Sequence, residues 1–198
     1  MDSPIILIGP MSAGKSTIGE LLAQKLNLPQ HSLDEKRWDY YAEIGYDTTV
    51  AAAIANSDQG KPGLIRYWKP FEAHAVERML ADYSEGIIDF GAGHSVYEDE
   101  QLFARVQQAL APYDHIILLL PSPDLDESVA ILNARFVQML KDEGVEEVDT
   151  TLLAVNEQFV RHPSNHRLAT MVIYTKDKTP EESCAEIIQK LGVKGIGL

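Results

Sequence analysis

The sequence predicts an α/β fold: a five-stranded parallel sheet between two layers of helices, in one domain spanning residues 1–198. Three observations carry this. Short apolar runs alternate with stretches of helical spacing along the chain, the pattern of a parallel sheet covered on both faces. Two of the runs, Ile5-Ile6-Leu7-Ile8 and the five residues after His115, contain no polar residue, as expected of strands buried on both sides. Between the first run and the first helical stretch stands Gly9-Pro10-Met11-Ser12-Ala13-Gly14-Lys15-Ser16-Thr17. It fits the P-loop pattern G-x-x-x-x-G-K-S/T at every fixed position. The expected architecture is therefore the three-layer α/β/α arrangement of P-loop NTPases.

The elements follow in order. After the loop, Ile18, Leu21, Leu22 and Leu26 recur at helical spacing and give a helix over about 16–26, within which Gly19 permits close approach to a neighbour. Pro29 breaks the chain, and a short strand at His31-Ser32-Leu33 ends at Asp34. Ligands collect at the carboxyl ends of such strands, so Asp34 should face the site. Residues 35–69 read poorly. Arg37, Trp38, Tyr40, Tyr41 and Tyr46 cluster aromatics with charges, and residues 35–70 are expected to form a small acceptor-binding subdomain. The aromatics either pack its core or wall an acceptor pocket. Ala51 to Ala55 suggests a short helix, and residues 59–63 a loop. Pro70 suits the first turn of the next helix, whose apolar face is Phe71, Ala75, Val76, Met79, Leu80 and Tyr83.

A third strand, Gly86-Ile87-Ile88-Asp89-Phe90, leads into Gly91-Ala92-Gly93-His94. A helix over about 98–111 stops at Pro112, and the fourth strand runs from His115 to Leu120. Helices are expected over 125–140 and 149–160, with residues 138–156 as a lid. Met171-Val172-Ile173-Tyr174 is the fifth strand. Thr179, Pro180 and Glu182 then read as N-cap, first helical position and capping-box partner. Cys184 falls on the apolar face of that last helix with Ile187, Ile188 and Leu191, and the tail 192–198 is expected to fray.

The loop's chemistry comes from its backbone. Gly9 and Gly14 allow a tight turn whose amides, including those of Ser12 and Ala13, point into one concavity; with the helix N-terminus it attracts phosphate. Lys15 can reach the β- and γ-phosphates, and the Ser16 hydroxyl can hold Mg²⁺, with Thr17 beside it. Asp89, ending an apolar strand, is the candidate Walker B carboxylate for the metal. Gly91 and Gly93 present strand-end amides to an acceptor or the γ-phosphate. Arg135 and Arg161 are cations outside the loop, and Glu157 stands four residues before Arg161 as an alternative ion-pair partner. His94 is not a candidate catalyst, because a lone histidine is ordinarily structural. The triplet Asp89-Phe90-Gly91 lacks the companion motifs of protein kinases.

Bulk properties narrow the partners. With 17 Lys+Arg against 30 Asp+Glu and a formal charge of -13, the surface does not suit nucleic acid. A single cysteine fits a reducing compartment and excludes an internal disulfide framework. The start Met1-Asp2-Ser3 has no basic n-region, and no apolar stretch approaches a membrane span. The expectation is a cytoplasmic monomer or small homo-oligomer that uses ATP, Mg²⁺ and a small-molecule acceptor.

Taken together, these pieces resemble shikimate kinase and its close relatives. The similarity rests on the run Gly9 to Gly19 followed by Leu22-Ala23, on Asp34, on Gly91-Ala92-Gly93 and on Arg161-His162-Pro163 with Ala169-Thr170 beyond. The resemblance implies that Asp34 contacts the acceptor hydroxyl as candidate base and that Arg161 binds the acceptor. It also implies that Thr175 to Pro180, with Lys178, lies beside the adenine. Departures accompany it. Ser32 replaces a metal-side aspartate, Glu72 follows Phe71 where the family has a carboxylate-gripping arginine, and the lid's R-P-L-L segment is absent. The expected function is transfer of the ATP γ-phosphate to a hydroxyl of a small molecule other than shikimate, with Lys15, Asp34 and Arg161 as catalytic residues. The alternatives are a nucleoside or nucleotide kinase, in which the aromatics of 38–46 stack a base, and a non-kinase ATP-binding regulatory protein. No N-K-x-D stretch supports a GTPase.

Overall fold

A computed structural model describes residues 3–145 and 147–192. Five strands, β1 (Ile5–Ile8), β2 (Gln30–Ser32), β3 (Ile87–Asp89), β4 (Ile116–Leu120) and β5 (Met171–Tyr174), form one sheet in the order β2-β3-β1-β4-β5. Every neighbouring pair is parallel. The apolar strands behave as their composition demands: β1 and β4 are buried along their whole length. The strand order reverses on either side of β1, so the P-loop leaves the sheet at the switch point, where a crevice forms beyond the strand ends.

Helix α1 (Lys15–Leu26) follows the loop directly. A Cβ on Gly19 would come within 2.7 Å of Gln30 Nε2 and 3.5 Å of Leu7 Cδ1, which is the close approach expected of that glycine. The poorly legible stretch is helical: α2 (Leu33–Glu43), α3 (Thr48–Ala55) and α4 (Gly60–Asp82). Two expectations are corrected here. The second strand stops at Ser32, and Asp34 belongs to the first turn of α2. Residues 59–63 are not a loop before a helix starting at Pro70; α4 begins at Gly60 and carries Pro70 in its interior. An internal proline costs about 3 kcal/mol in a free helix. Here Phe71 and Tyr67 on either side of it pack against Tyr46, with Tyr41 against Phe71, and burial of that aromatic area offsets the loss.

Beyond β3, a 3-10 turn at Ala92–Ser95 leads to α5 (Glu100–Leu110). Then come α6 (Leu125–Asp142), α7 (Thr150–Arg161), a short α8 (Ser164–Leu168) that the sequence pattern did not reveal, and α9 (Pro180–Leu191). The Thr179–Glu182 capping box is formed, and Cys184 is fully buried on α9. Of the expected frayed tail, residues 193–198 lie outside the described residues. No helix among the described residues is long and apolar enough to cross a membrane.

Candidate active site

The carboxyl ends of β1, β2 and β3 bring the sequence candidates together. Gly14 caps α1 in the left-handed region at φ 90°, and Gly9 has φ 144°. A side chain at Gly9 would meet the Leu119 carbonyl at 2.7 Å, so the loop's first turn requires glycine. Lys15 is 9 % exposed and folds back over the loop, donating to the carbonyls of Gly9 (2.9 Å) and Pro10 (2.8 Å). Burial pushes its ammonium down to about 8, against the opposing pull of Asp34 and Asp89. The Ser12 hydroxyl is buried without a hydrogen-bond partner. An orphaned donor and a desolvated cation in one concavity are what an incoming phosphate would satisfy.

Asp89 is 2 % exposed at the end of β3, in register with Leu7 of β1 and Ser32 of β2. Its Oδ1 accepts from Ser32 Oγ at 3.1 Å and lies 3.4 Å from Ser16 Oγ. Its Oδ2 accepts from Gln30 Nε2 at 2.8 Å, and Gln30 reaches the Ser16 carbonyl at 3.2 Å. Ser16, Ser32 and Asp89, with Thr17 beside them, line a cavity of about 310 Å³. The donors are all oxygens, the hard ligands that Mg²⁺ takes with one or two carboxylates plus substrate phosphates. No group of three His, Cys, Asp or Glu side chains is gathered for a metal among the described residues, so the donor set suits a phosphate-borne cation rather than a caged one.

A second cavity, of about 270 Å³, adjoins the loop at Met11 and is lined by Asp34, Glu72, Gly93, His94 and Phe159 among others. The two glycines serve space, not conformation. A Cβ on Gly91 would stand 2.3 Å from Asp34 Oδ1, and one on Gly93 would stand 2.4 Å from Glu72 Oε1. Asp34 is paired only with Arg37, at 3.3 Å, and its side chain is half exposed.

A family model described as shikimate kinase matches residues 11–192. The chain belongs to the shikimate kinase family. A shikimate kinase of Shewanella oneidensis is 30 % identical over 191 residues, covering 95 % of this chain and 96 % of the relative. Among solved structures, a shikimate kinase of Acinetobacter baumannii in complex with shikimate superposes with a TM-score of 0.62 at 18 % identity, covering 96 % of this chain and 92 % of that one. A gluconokinase of Sinorhizobium meliloti superposes with a TM-score of 0.58 at 14 % identity over the same shares. The fold is thus the three-layer P-loop kinase fold, and the chain is an ATP-binding small-molecule kinase acting on a hydroxyl group.

Within this family fold, several candidates stand apart from the cavities. Arg161 lies at the end of α7, on the surface, donating to Asp126 Oδ1 at 2.6 Å and to Glu157 Oε1 at 2.8 Å. It does not line the Asp34 cavity. Lys178 follows β5 and is tied to the Tyr174 carbonyl and to Glu186 of α9. Arg135 is exposed on α6.

Other contacts were invisible in sequence. Lys69 donates to Glu72 Oε2 at 2.6 Å and to the Gly93 carbonyl at 2.9 Å. Glu72, which stands where the family has a carboxylate-gripping arginine, is therefore neutralised by Lys69. Asn156 of α7 accepts from the Met11 amide at 3.0 Å and ties the loop to the helix that supplies Leu152, Val155 and Phe159 to the Asp34 cavity. Lys69 and Glu72 stand three apart on a helix, a spacing that favours pairing, but the misplaced helix start hid it.

Proposed function

We propose that this kinase transfers the γ-phosphate of ATP to a hydroxyl of a neutral polyol or sugar rather than to shikimate. The P-loop residues Gly9, Ser12, Ala13, Gly14, Lys15, Ser16 and Thr17 hold the nucleotide, with Lys178 on the adenine side. Ser16 and Asp89 hold Mg²⁺. Bound MgATP supplies an activated phosphoryl group whose charge the metal helps to spread. Asp34, aided by Gly91 and Gly93, orients the acceptor hydroxyl and receives its proton. Residues 35–70 serve as the acceptor subdomain, and 138–156 as the lid. Arg161 reaches the acceptor only by leaving Asp126 and Glu157.

The observation that carries this reading is the charge state of the Asp34 cavity. Each of its cations is already matched: Arg37 by Asp34, Lys61 by Asp149, and Lys69, which borders it, by Glu72. Among the described residues, a carboxylate entering it would find no cation free of a carboxylate; Arg37 Nε is buried without a hydrogen-bond partner, but its guanidinium is already paired with Asp34. Lacking a free partner costs on the order of 2–5 kcal/mol. The nucleoside alternative has less support. Trp38, Tyr41 and Tyr46 pack against one another, and the Arg37 guanidinium covers Trp38 at 4.5 Å, so that Tyr41 is buried and Trp38, though 45 % exposed, already carries a stacked cation.

The test is ADP release from ATP with shikimate, D-gluconate, myo-inositol, D-glucose and uridine as acceptors. A neutral polyol or sugar is expected to stimulate release, with shikimate a poor acceptor. Shikimate turnover at a rate typical of metabolic kinases would falsify the reading.

A further inference from the structure

The acceptor cavity holds a polar atom that the protein itself leaves unused. His94 is 1 % exposed, and its Nε2 lies 3.3 Å from the Tyr41 hydroxyl. Its Nδ1 is buried with no hydrogen-bond partner among the described residues beyond a weak backbone contact to Gly91. Buried polar groups are ordinarily paired, so an unpaired ring nitrogen at a site calls for a ligand.

The surroundings say what kind. The point where a Gly91 Cβ would stand is 2.7 Å from His94 Nδ1 and 2.3 Å from Asp34 Oδ1. The two atoms face one space that glycine keeps clear, and both residues line the cavity. Tyr41 and Asp34 together select the tautomer. Burial, chiefly, raises the Tyr41 phenol well above the usual range, so the hydroxyl stays protonated. Its hydrogen-bond partner is His94 Nε2, and either group could donate; the Asp34 carboxylate close to the other ring nitrogen favours the tautomer in which Tyr41 donates and the ring proton sits on Nδ1. Burial also holds the ring neutral, pushing its pKa down to about 3 against the pull of Asp34, with Lys69 and Arg37 reinforcing the drop.

A ring N–H and a carboxylate oxygen converging on one space ask for a group that accepts from one and donates to the other through the same atom. A hydroxyl does this. A carboxylate lacks the proton, and an ammonium lacks the lone pair.

We propose that His94 is a specificity-determining residue: Nδ1–H donates to the oxygen of one acceptor hydroxyl, which donates its own hydrogen bond to Asp34 Oδ1, so that the site selects an acceptor with a hydroxyl at that position. Asp34, half exposed and held by Arg37 alone, has room to swing and admit it. Tyr41 is the positioning residue that, with Asp34, sets the tautomer. This rests on the kinase reading above and adds a contact to it.

The test follows the imidazole ¹⁵N resonances of the full chain while myo-inositol, D-glucose, D-gluconate or shikimate is added. At least one compound is expected to shift His94 Nδ1. For that compound His94→Leu should raise the acceptor KM by about tenfold to a hundredfold, the loss for an unmet buried hydrogen bond, with the KM for ATP unchanged. His94→Asn, which keeps a donor, should recover part of the loss. No shift with any of the four compounds overturns the proposal. So does an acceptor KM that is the same in wild type and in folded His94→Leu or His94→Asn protein. A shift without phosphate transfer upholds the contact and removes the kinase reading of the cavity; transfer without a shift does the reverse.

Discussion

The two halves of the site are built on different principles. The nucleotide half is local: β1, the loop and the first turn of α1 form one run of sequence, and its groups are mostly backbone, oriented by Gly9 and Gly14. The acceptor half is assembled from α2, α4, the turn after β3 and α7, and its groups are side chains that neutralise one another. A phosphate cradle made of amides serves any nucleotide and leaves little to vary. A cavity made of paired charges is re-specified whenever one pair changes.

The comparison can be broken first at Lys15. Lys15→Ala should take phosphate transfer down by about 10²–10³-fold, the loss when a charge-stabilising donor is removed. It should leave the melting temperature unchanged or higher, because it also removes a desolvated ammonium. Transfer at the wild-type rate would dismiss the loop assignment. In wild type, the same ammonium titrates at about 8. Bound phosphate favours its charged form, so ATP binding takes up a proton above that pH and affinity falls as pH rises. Calorimetry in two buffers of different ionisation enthalpy would reveal the proton; identical heats would count against it.

The next effect in size separates the two carboxylates. Asp34→Asn should slow transfer by about 10²-fold, the low end for a general base because phosphoryl transfer leans little on one, while sparing binding of ATP with Mg²⁺. Asp89→Asn should weaken the Mg²⁺ dependence and slow even acceptor-free hydrolysis. A Mg²⁺ titration in which the two variants exchange these behaviours would reverse the roles.

A smaller effect, on stability, tests whether the acceptor half is organised by pairing. Lys69→Met leaves Glu72 buried without its partner and should destabilise the fold by about 3–5 kcal/mol. Adding Glu72→Leu should restore most of it. Equal denaturation midpoints for wild type and Lys69→Met would show that the pair contributes nothing.

This division explains what was legible in the sequence. The P-loop, Asp89 and the strand ladder could be read because each depends on neighbours in the chain. Burial of β1 and β4 needs only their composition, and the Thr179 cap needs only four residues. The helix α4 was misplaced because Pro70 is a strong local stop signal that aromatic packing from α2 and the α2–α3 connection overrides. Lys69, the tautomer of His94 and the Gln30 contact to Asp89 depend on partners 24 to 59 residues away, for which single-sequence periodicity carries no signal. Arg161 shows the opposite case. Its sequence context marks it for the acceptor, while Glu157 one turn earlier and Asp126 on α6 hold it at the surface.

The hydrogen bond between Asn156 and the Met11 amide joins residues 145 positions apart. It makes the loop that grips phosphate and the helix that walls the acceptor a single mechanical unit. A change in the loop on nucleotide arrival would reach the wall through this contact, and linkage requires the acceptor to alter nucleotide binding by the same factor by which nucleotide alters acceptor binding. The tie therefore predicts coupling between the two substrates. Dissociation constants measured for each substrate with the other absent and saturating would expose the factor; a value of one would mean that the tie carries no message.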